Sequence, residues 1–246
     1  MNHKDYFSTQ SKEYATYRPT YPAALYDFLF QDVSEKCTAW DCATGNGQVA
    51  FQLSEYSDSV YATDISQQQL NNAKKKDNIF YSVSPAEKTT FPDHKFDLIT
   101  VGQALHWFDR EKFYAEVQRV GKPRGRLAVW GYALMQIDDA VDNVINEYYS
   151  GTVGPYWDDA RRDVESEYRN YSFPFAEITT PVFEMEVNWN RAQLSGYLSS
   201  WSATQRYQRA TKHNPIPSLI EKLLPRWHDD EIKKVRFPIF LRLFII

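Results

Sequence analysis

The sequence lacks several features that would place it in a broad class at once. It has no run of eighteen apolar residues, so no membrane-spanning helix is expected. Residues 1–5 lack the apolar core of a signal peptide. Its net charge is −4 and its pI is near 5.8, so it carries no electrostatic footprint for nucleic acid. These absences predict a cytoplasmic protein without a membrane or nucleic-acid partner, and they leave its oligomeric state open.

Cysteine is almost absent. Cys37 and Cys42 are the only two, and their spacing is neither that of a disulfide framework nor that of a metal site. Buried thiols in a reducing compartment are the expected state of both. No metal is expected.

The remaining composition is that of an ordinary globular protein. Hydrophobic residues make up 43% and charged residues 24% of the sequence, and its length of 246 residues is enough for one large α/β domain, or for a domain plus a cap. Aromatic residues reach 16%. That excess suits an aromatic-lined pocket, although most of the rings must belong to the core.

One stretch, residues 37–48, organises the chain. It predicts a short apolar strand that ends at the acid Asp41, and then a turn of small residues containing Gly45 and Gly47. A helix follows, with its apolar side chains at helical spacing: Val49, Leu53 and Tyr56. A tight turn before a helix lets a ligand approach backbone N–H groups closely.

Two cofactor interpretations compete for this turn, beside an ordinary strand-to-helix turn. A dinucleotide fingerprint requires G-x-G-x-x-G, and the third glycine is missing here. The other pattern places a carboxylate before the glycines. It runs from Asp41 to Gly47 with Ala43 in the first glycine position, which a backbone contact tolerates if the φ of Ala43 is negative.

A second carboxylate strengthens both nucleotide interpretations. Asp64 closes the next predicted strand, residues 59–64, and lies 17 residues after Gly47. An acid at about this distance suits the two hydroxyl groups of a ribose. Ser66 then begins a capping box with Gln69, so Asp64 could instead simply lead into that helix.

Further strands are predicted at residues 78–83, 96–101 and 126–132, alternating with helices across short loops. This alternation is typical of a parallel, doubly wound α/β sheet, whose ligands bind at the carboxyl ends of the strands. We therefore expect four strand ends to face one crevice: Asp41, Asp64, Ser84 and Gly102.

The chain changes character after residue 135. Helices are predicted in 137–171, 191–210 and 219–224, an edge strand at 183–189 and an apolar strand at 235–246, with regular pairing beginning near Ile239 because of Pro238. We expect a single domain over 1–246. Its predicted parts are an N-terminal strap and helix (1–35), a cofactor-binding core (36–135), a helical cap (136–180 and 191–230) and C-terminal strands (181–190 and 235–246).

With these residues assembled, the chain resembles the class I S-adenosylmethionine (SAM) dependent methyltransferases from its first strand to its fifth. It looks closest to the small-molecule branch that includes trans-aconitate methyltransferase. That closer likeness rests on three motifs: Tyr17-Arg18-Pro19-x-Tyr21-Pro22, Pro85-Ala86-Glu87 and Gln103-Ala104-Leu105-His106-Trp107-Phe108. The resemblance implies a Rossmann-like sheet of seven strands in the order 3-2-1-4-5-7-6, with the last strand antiparallel. It also implies SAM as cofactor, S-adenosylhomocysteine as product, and a small-molecule substrate.

The resemblance further implies cofactor-binding residues. Asp41 would anchor the turn or bind the ammonium group, the backbone of Ala43 and Gly45 would hold the amino-acid end, and Asp64 would hold the ribose. Further candidates for cofactor binding are Tyr14, Arg18, Ile65, Ala86, Glu87 and Gln103. Two residues depart from the family pattern by replacing glycines, namely Ala43 and Arg124.

His106 is the candidate catalytic base, because a histidine near the methyl donor could accept a proton from a hydroxyl or an amine. A carboxylate acceptor is already ionised and needs no base. Substrate-lining candidates are Tyr17, Trp107 and Trp201, and the cations that could pair with an acidic substrate are Arg161, Arg162 and Arg206. The alternatives are a SAM-binding domain without catalysis and an NAD-dependent oxidoreductase.

Overall fold

The structure is a computed structural model, and it describes residues 19–33 and 36–246. Within this part of the chain, eight strands form one sheet. The strands are β1 (Thr38–Cys42), β2 (Ser59–Asp64), β3 (Ile79–Val83), β4 (Phe96–Gly102), β5 (Gly121–Tyr132), β6 (Ala176–Ile178), β7 (Phe183–Trp189) and β8 (Lys233–Ile245).

Helices lie between most of the strands. The α-helices are α1 (Ala23–Phe30), α2 (Gln48–Leu53), α3 (Gln67–Asn71), α4 (Arg110–Val120), α5 (Asp139–Glu147), α6 (Arg161–Glu165), α7 (Arg191–Ser199), α8 (Ser202–Thr211) and α9 (Ile216–Leu223). A 3₁₀ turn, Leu105–Trp107, follows β4. Helices α5 to α9, with the turns at residues 148–160, 166–171 and 200–201, are called the cap below.

The strand order is β3-β2-β1-β4-β5-β8-β6, and β7 also pairs with β8. Strands β1 to β5 are mutually parallel, whereas β8 runs antiparallel to β5. The predicted α/β sheet is therefore confirmed, with the apolar last strand between the fifth strand and the edge. One strand is additional: β6 is three residues long and pairs with the far end of β8, beyond the stretch that β7 covers.

The expected start of regular pairing near Ile239 is wrong. Strand β8 pairs with β7 from Lys233 onward, and Pro238 lies opposite Glu184 within that ladder. The carbonyl oxygen of Pro238 accepts from the Ala133 N–H at 2.9 Å, so this residue's backbone groups face the β5 side. Its missing N–H therefore removes no hydrogen bond from the β7–β8 ladder.

Both faces of the sheet are covered. On one face, α1 and α2 bury Leu25, Leu29 and Leu53, while on the other α4 buries Phe113 and Val117. Successive residues of β1 alternate between the two layers as a strand requires. The connection between β3 and β4, residues 84–95, has no helix, which leaves the edge at β3 less covered than the centre.

A buried polar contact joins the first two strands. The indole Nε1 of Trp40 donates to the Thr63 hydroxyl at 2.8 Å, and both residues are fully buried. A buried indole N–H without an acceptor would cost about 1–3 kcal/mol, so this pair favours the observed register of β1 against β2.

Helical boundaries in the cap follow local sequence signals. The Asn190 side chain accepts from the Gln193 N–H, and the Gln193 side chain accepts from the Asn190 N–H, each at 2.9 Å, which forms a capping box at α7. The helix predicted over 191–210 is interrupted at Ser200 and Trp201, so it forms two helices. The predicted break at 151–155 is observed between α5 and α6.

Candidate active site

The turn after β1 has an unusual backbone. Ala43, Gly45 and Gly47 all have positive φ, at 55°, 56° and 76°. A side chain on Gly47 would meet the Tyr81 hydroxyl at 2.3 Å, whereas a side chain on Gly45 would meet nothing within 4 Å. Gly45 therefore faces open space, and its backbone is accessible to a ligand.

We expected alanine to be tolerated at position 43 if its φ were negative, but the φ of Ala43 is positive. A non-glycine residue in this region is strained by about 1–2 kcal/mol. Arg124, the second residue that replaces a glycine of the family pattern, also has a positive φ. Its φ is 66°, in the looped-out segment at the start of β5. At both positions the chain keeps a glycine-type backbone without the glycine.

Asp41 is buried at the end of β1 with hydroxyl partners. The Thr44 hydroxyl donates to its Oδ2, and the Thr100 hydroxyl donates to its Oδ1 at 2.9 Å. Burial raises the pKa of Asp41 to about 7, against the lowering effect of these two hydroxyl groups, and the charge of Asp64 raises it further. Asp41 therefore links the glycine turn to β4 through Thr100.

Asp64 connects the glycine turn to the end of β2. Its Oδ2 accepts from the Gly45 N–H at 2.8 Å, and its Oδ1 accepts from the Ser66 N–H at 2.9 Å. The side chain of Ser66 in turn caps α3. The two acids predicted from their spacing thus flank the same turn, one buried below it and one beside it.

Apolar side chains are exposed at the ends of β2 and β3. Ile65, directly after β2, is 48% exposed, and Val83, the last residue of the edge strand β3, is 52% exposed. Ala86 is buried in the connection after β3. Glu87 accepts from the Asp109 N–H at 2.9 Å and so joins this connection to the start of α4.

Gln103 follows β4 with a positive φ of 59°. Its N–H donates to the carbonyl of Trp130 at 2.8 Å, and its side-chain oxygen accepts from the Tyr132 N–H at 3.0 Å. These two bonds fasten the loop after β4 to the end of β5. Gln103 thereby lies at the carboxyl ends of the central strands.

His106 lies in the 3₁₀ turn after β4, against the cap. Its Nδ1 shares a hydrogen bond of 2.9 Å with the Tyr168 hydroxyl, and its ring lies 4.8 Å from that of Trp107. Burial, helped by the charge of Arg161, lowers the pKa of His106 to about 4. The imidazole is therefore neutral at pH 7. Trp107 is 36% exposed at the rim of the same turn.

Trp201 is the centre of the aromatic cluster in the cap. It is only 3% exposed and contacts four rings at centroid distances of 5.4–6.1 Å. Those rings belong to Tyr148, Tyr149, Trp157 and Tyr197. Trp201 thus stabilises the cap from within, and any contact with a substrate would involve only its small exposed part.

Three predicted site residues, Tyr14, Tyr17 and Arg18, lie outside the described residues. The described segment begins directly after them, and the Pro19 carbonyl accepts from the Gln48 side chain at 3.1 Å. Tyr21 packs edge-on against Trp130 at 5.6 Å. The segment leading into α1 therefore lies beside the start of α2.

Sequence reasoning missed the partners of the predicted residues. Thr44 and Thr100 hold Asp41, and Tyr168 holds His106. Thr44 stood inside the motif, so a search for hydroxyl groups beside a buried acid would have found it. Tyr168 follows His106 by 62 residues, and no local pattern connects them.

The described residues offer neither a metal site of acidic, histidine or cysteine side chains nor a membrane-spanning helix. No group of three or more histidine, cysteine, aspartate or glutamate side chains there could hold a metal ion. No helix among those residues has the length and apolar character needed to cross a membrane. Both cysteines are free and buried, as expected.

An open sheet in this order, with a glycine turn after β1 and an acid at the end of β2, is the arrangement of Rossmann-like nucleotide-binding enzymes. Residues 40–129 match the family model described as a methyltransferase domain. A protein of Dictyostelium discoideum, provisionally named as a methyltransferase, is 34% identical, and the match covers 97% of this chain and 94% of that protein. The chain therefore belongs to the class I SAM-dependent methyltransferases.

Similarities to a solved structure and to a fungal methyltransferase agree with this family assignment. The solved structure of a protein of Anaeromyxobacter dehalogenans, provisionally described as a type II methyltransferase, is 34% identical with a TM-score of 0.88, and the match covers 94% of this chain and 98% of that chain. The methyltransferase cfoB of Aspergillus candidus is 28% identical over 77% of this chain and 68% of its own length. The family implies SAM as the methyl donor.

Proposed function

We propose that this methyltransferase acts on a small-molecule acceptor and that the methylated atom is a carboxylate oxygen, as in the trans-aconitate methyltransferase branch. The observation that carries the cofactor part is the contact of the Gly45 N–H with Asp64 beside open space. The residues around that space fit a nucleoside, because a carboxylate, an accessible backbone and two exposed apolar side chains are present together.

In this proposal the turn after β1 binds the amino-acid end of SAM. The backbone of Ala43 and Gly45 holds it, and Asp41 anchors the turn or faces the ammonium group. Arg18 binds the carboxylate with Tyr14 beside it. Gln103 borders the methionyl part through its backbone.

The ends of β2 and β3 bind the nucleoside. Asp64 accepts hydrogen bonds from the ribose hydroxyl groups, since a carboxylate offers about four acceptor positions. Ile65, which is exposed there, packs on the adenine. Ala86 and Glu87 border the adenine edge.

SAM supplies a methyl group already activated on a sulfonium, so the protein contributes placement and exclusion of water. A carboxylate oxygen of the acceptor forms the new O–CH₃ bond while the S–CH₃ bond breaks and leaves a neutral thioether. No proton moves in that step. His106 then acts as a hydrogen-bonding group, and Tyr17, Trp107 and Trp201 contribute aromatic surface to the acceptor pocket.

The test measures binding and chemistry separately. We expect calorimetry to show that the protein binds S-adenosylhomocysteine and does not bind NAD. Single-turnover transfer of tritiated methyl from SAM to a panel of small acids, amines and phenols should then label an acid. Binding without transfer to any member of the panel would indicate a SAM-binding domain without catalysis, and preferential binding of NAD would overturn the proposal.

A further inference from the structure

Arg161 differs from the other partly buried arginines of the cap in its partners. Arg206 pairs with Asp158 at 2.9 Å, and Arg191 pairs with Asp229. Within the described residues, no carboxylate lies within 4.0 Å of the Arg161 guanidinium. A cation held among protein groups without an acid is costly to keep and needs an explanation.

The hydrogen bonding of Arg161 leaves both Nη atoms of its guanidinium fork without an acceptor among the described residues. Its Nε donates to the Tyr149 hydroxyl at 3.2 Å, and its guanidinium lies 5.4 Å from the centroid of the Trp157 ring. Neither Nη atom donates to any group among the described residues. Together, these two atoms can bind a carboxylate through two parallel hydrogen bonds.

The acids near Arg161 already have donors of their own. The Tyr149 hydroxyl donates to Glu165, the Tyr171 hydroxyl donates to Asp163 at 2.6 Å, and Asp158 is held by Arg206. Burial alone would lower the pKa of Arg161, but the facing tyrosine hydroxyl groups outweigh it and raise the pKa. Arg161 therefore keeps its charge.

Arg161 lies on the side of the sheet where, under the proposed function, the acceptor rather than the nucleoside would bind. Its helix, α6, packs against the 3₁₀ turn that carries His106, and its charge acts on His106. It also interacts electrostatically with Tyr132 at the end of β5 and with Tyr197 of α7. The helix of Arg161 thus contacts the turn after β4, and β4 lies on the opposite side of β1 from β2, the strand that ends at Asp64.

We propose that Arg161 is the specificity-determining residue for the acceptor and that its two Nη atoms bind a carboxylate of that molecule. This assignment rests on the proposed function, because it places the acceptor in the crevice beside the cofactor. The aromatic rings beside the fork bind the apolar part of the acceptor and exclude water, which strengthens the ion pair. A neutral analogue of the same shape would leave the guanidinium without a partner.

The test compares acids with their amides on protein saturated with S-adenosylhomocysteine. The probes are benzoate with benzamide and glutarate with glutaramide, titrated calorimetrically. We expect at least one acid to bind ten times more tightly than its amide. Arg161→Gln should remove that preference, and Arg161→Lys, which keeps the charge without the fork, should retain part of it.

Arg162 provides the matched control. It is the next residue in the same helix, and its side chain is 83% exposed. Arg162→Gln should change the affinity for the acids less than twofold. All variants should bind S-adenosylhomocysteine within twofold of wild type, which verifies that they fold.

Equal binding of acid and amide by the wild type, or an unchanged preference in Arg161→Gln, would overturn the assignment. Failure of the proposed function looks different. The wild type would then not bind S-adenosylhomocysteine, or it would prefer acids through Arg161 without transferring a methyl group to them.

Discussion

The Gly45 N–H donates to Oδ2 of Asp64 at 2.8 Å, and this bond, beside the one from the Thr44 N–H to the Thr63 carbonyl at 2.9 Å, joins the turn after the first strand to the end of the second. The contact has two consequences. It orients the carboxylate toward the turn, and it makes the shape of the turn depend on that carboxylate. Changes at either residue should therefore alter both affinity for the cofactor and local stability.

Removing the charge at position 64 should weaken cofactor binding. In Asp64→Asn the side-chain NH₂ replaces one carboxylate oxygen, so one of the two N–H groups of Gly45 and Ser66 loses its acceptor. The variant also loses the charge that strengthens the proposed hydrogen bonds to the ribose. We expect the Kd for S-adenosylhomocysteine to rise at least tenfold by calorimetry, which corresponds to about 1.4 kcal/mol or more. Asp77→Asn, at an exposed position before β3, is the control and should change the Kd less than twofold. Equal effects of the two changes would contradict the role given to Asp64.

The two glycines of the turn should respond differently to alanine. Both have positive φ, so each substitution strains the backbone by about 1–2 kcal/mol. At Gly47 the new methyl group would also meet the Tyr81 hydroxyl at 2.3 Å, so we expect Gly47→Ala to lower the free energy of unfolding by more than Gly45→Ala does. At Gly45 the methyl group would enter the space proposed for the cofactor, so we expect a loss of affinity larger than the loss of stability.

Urea unfolding and calorimetry on the same two variants test this difference. If Gly45→Ala binds S-adenosylhomocysteine as tightly as wild type, the space beside Gly45 is not the cofactor site. If Gly47→Ala is as stable as wild type, the backbone there relaxes away from Tyr81.

The buried carboxyl of Asp41 should make stability depend on pH. Its pKa is about 7 in the folded protein and near 3.9 in the unfolded chain, so the folded protein binds more protons between these values. The free energy of unfolding should therefore fall as the pH rises from 4 to 7, by at most about 1.4 kcal/mol per pH unit, and this contribution should be constant above pH 7.

Asp41→Asn isolates this contribution, because the amide keeps the shape of the carboxyl and can still bond both threonine hydroxyl groups. Urea unfolding at pH 5, 6, 7 and 8 gives the difference between wild type and variant. A difference that stays constant across this range would mean that Asp41 does not titrate there.

His106 should not titrate in the working range of the enzyme. Its pKa of about 4 keeps the imidazole neutral from pH 5.5 upward, and an ionised carboxylate acceptor needs no base. We expect the pH profile of kcat for an acid substrate to show no inflection from His106 between pH 5.5 and 8.5, so His106→Asn should keep the shape of the wild-type profile at a reduced kcat. An inflection near pH 6.5 that disappears in His106→Asn would identify His106 as a base with an ordinary pKa.

The contact of Trp40 with Thr63 should contribute measurably to stability. Thr63→Val keeps the volume but leaves the buried indole N–H without its acceptor, so the free energy of unfolding should fall by about 1–3 kcal/mol. Thr63→Ser keeps the hydroxyl group and is the control, with only the loss of a methyl group to account for. Equal losses in the two variants would assign the effect to packing rather than to the hydrogen bond.

The strand-end acids could be predicted from the sequence because their positions follow from local rules. Asp41 and Asp64 each close a short apolar strand, and parallel strands bring their carboxyl ends to one edge. The edge strand β7 was visible as an alternation of apolar and polar residues. Strand β6 was not, because three residues are too few for any period to be seen.

The acceptor side could not be predicted in the same way. Arg161 and Tyr168 reach His106 only through the packing of the cap on the sheet, across more than 50 residues of sequence. The sequence presented Arg161, Arg162 and Arg206 as three similar cations, and only their partners in three dimensions distinguish them. Backbone conformation was equally hidden, since nothing local predicts the positive φ of Ala43.

Strand β8 lies between β5 on one side and the strands β6 and β7 on the other, although it follows all three along the chain. During synthesis on the ribosome, β6 and β7 thus emerge before the strand with which they pair. Until β8 has been made, the backbone groups of β5 on the side away from β4 have no strand to pair with. Open edges of this kind invite pairing between nascent chains. The half of the sheet that contains β1 to β4 can assemble early, whereas the other half closes only after residue 245 has been made.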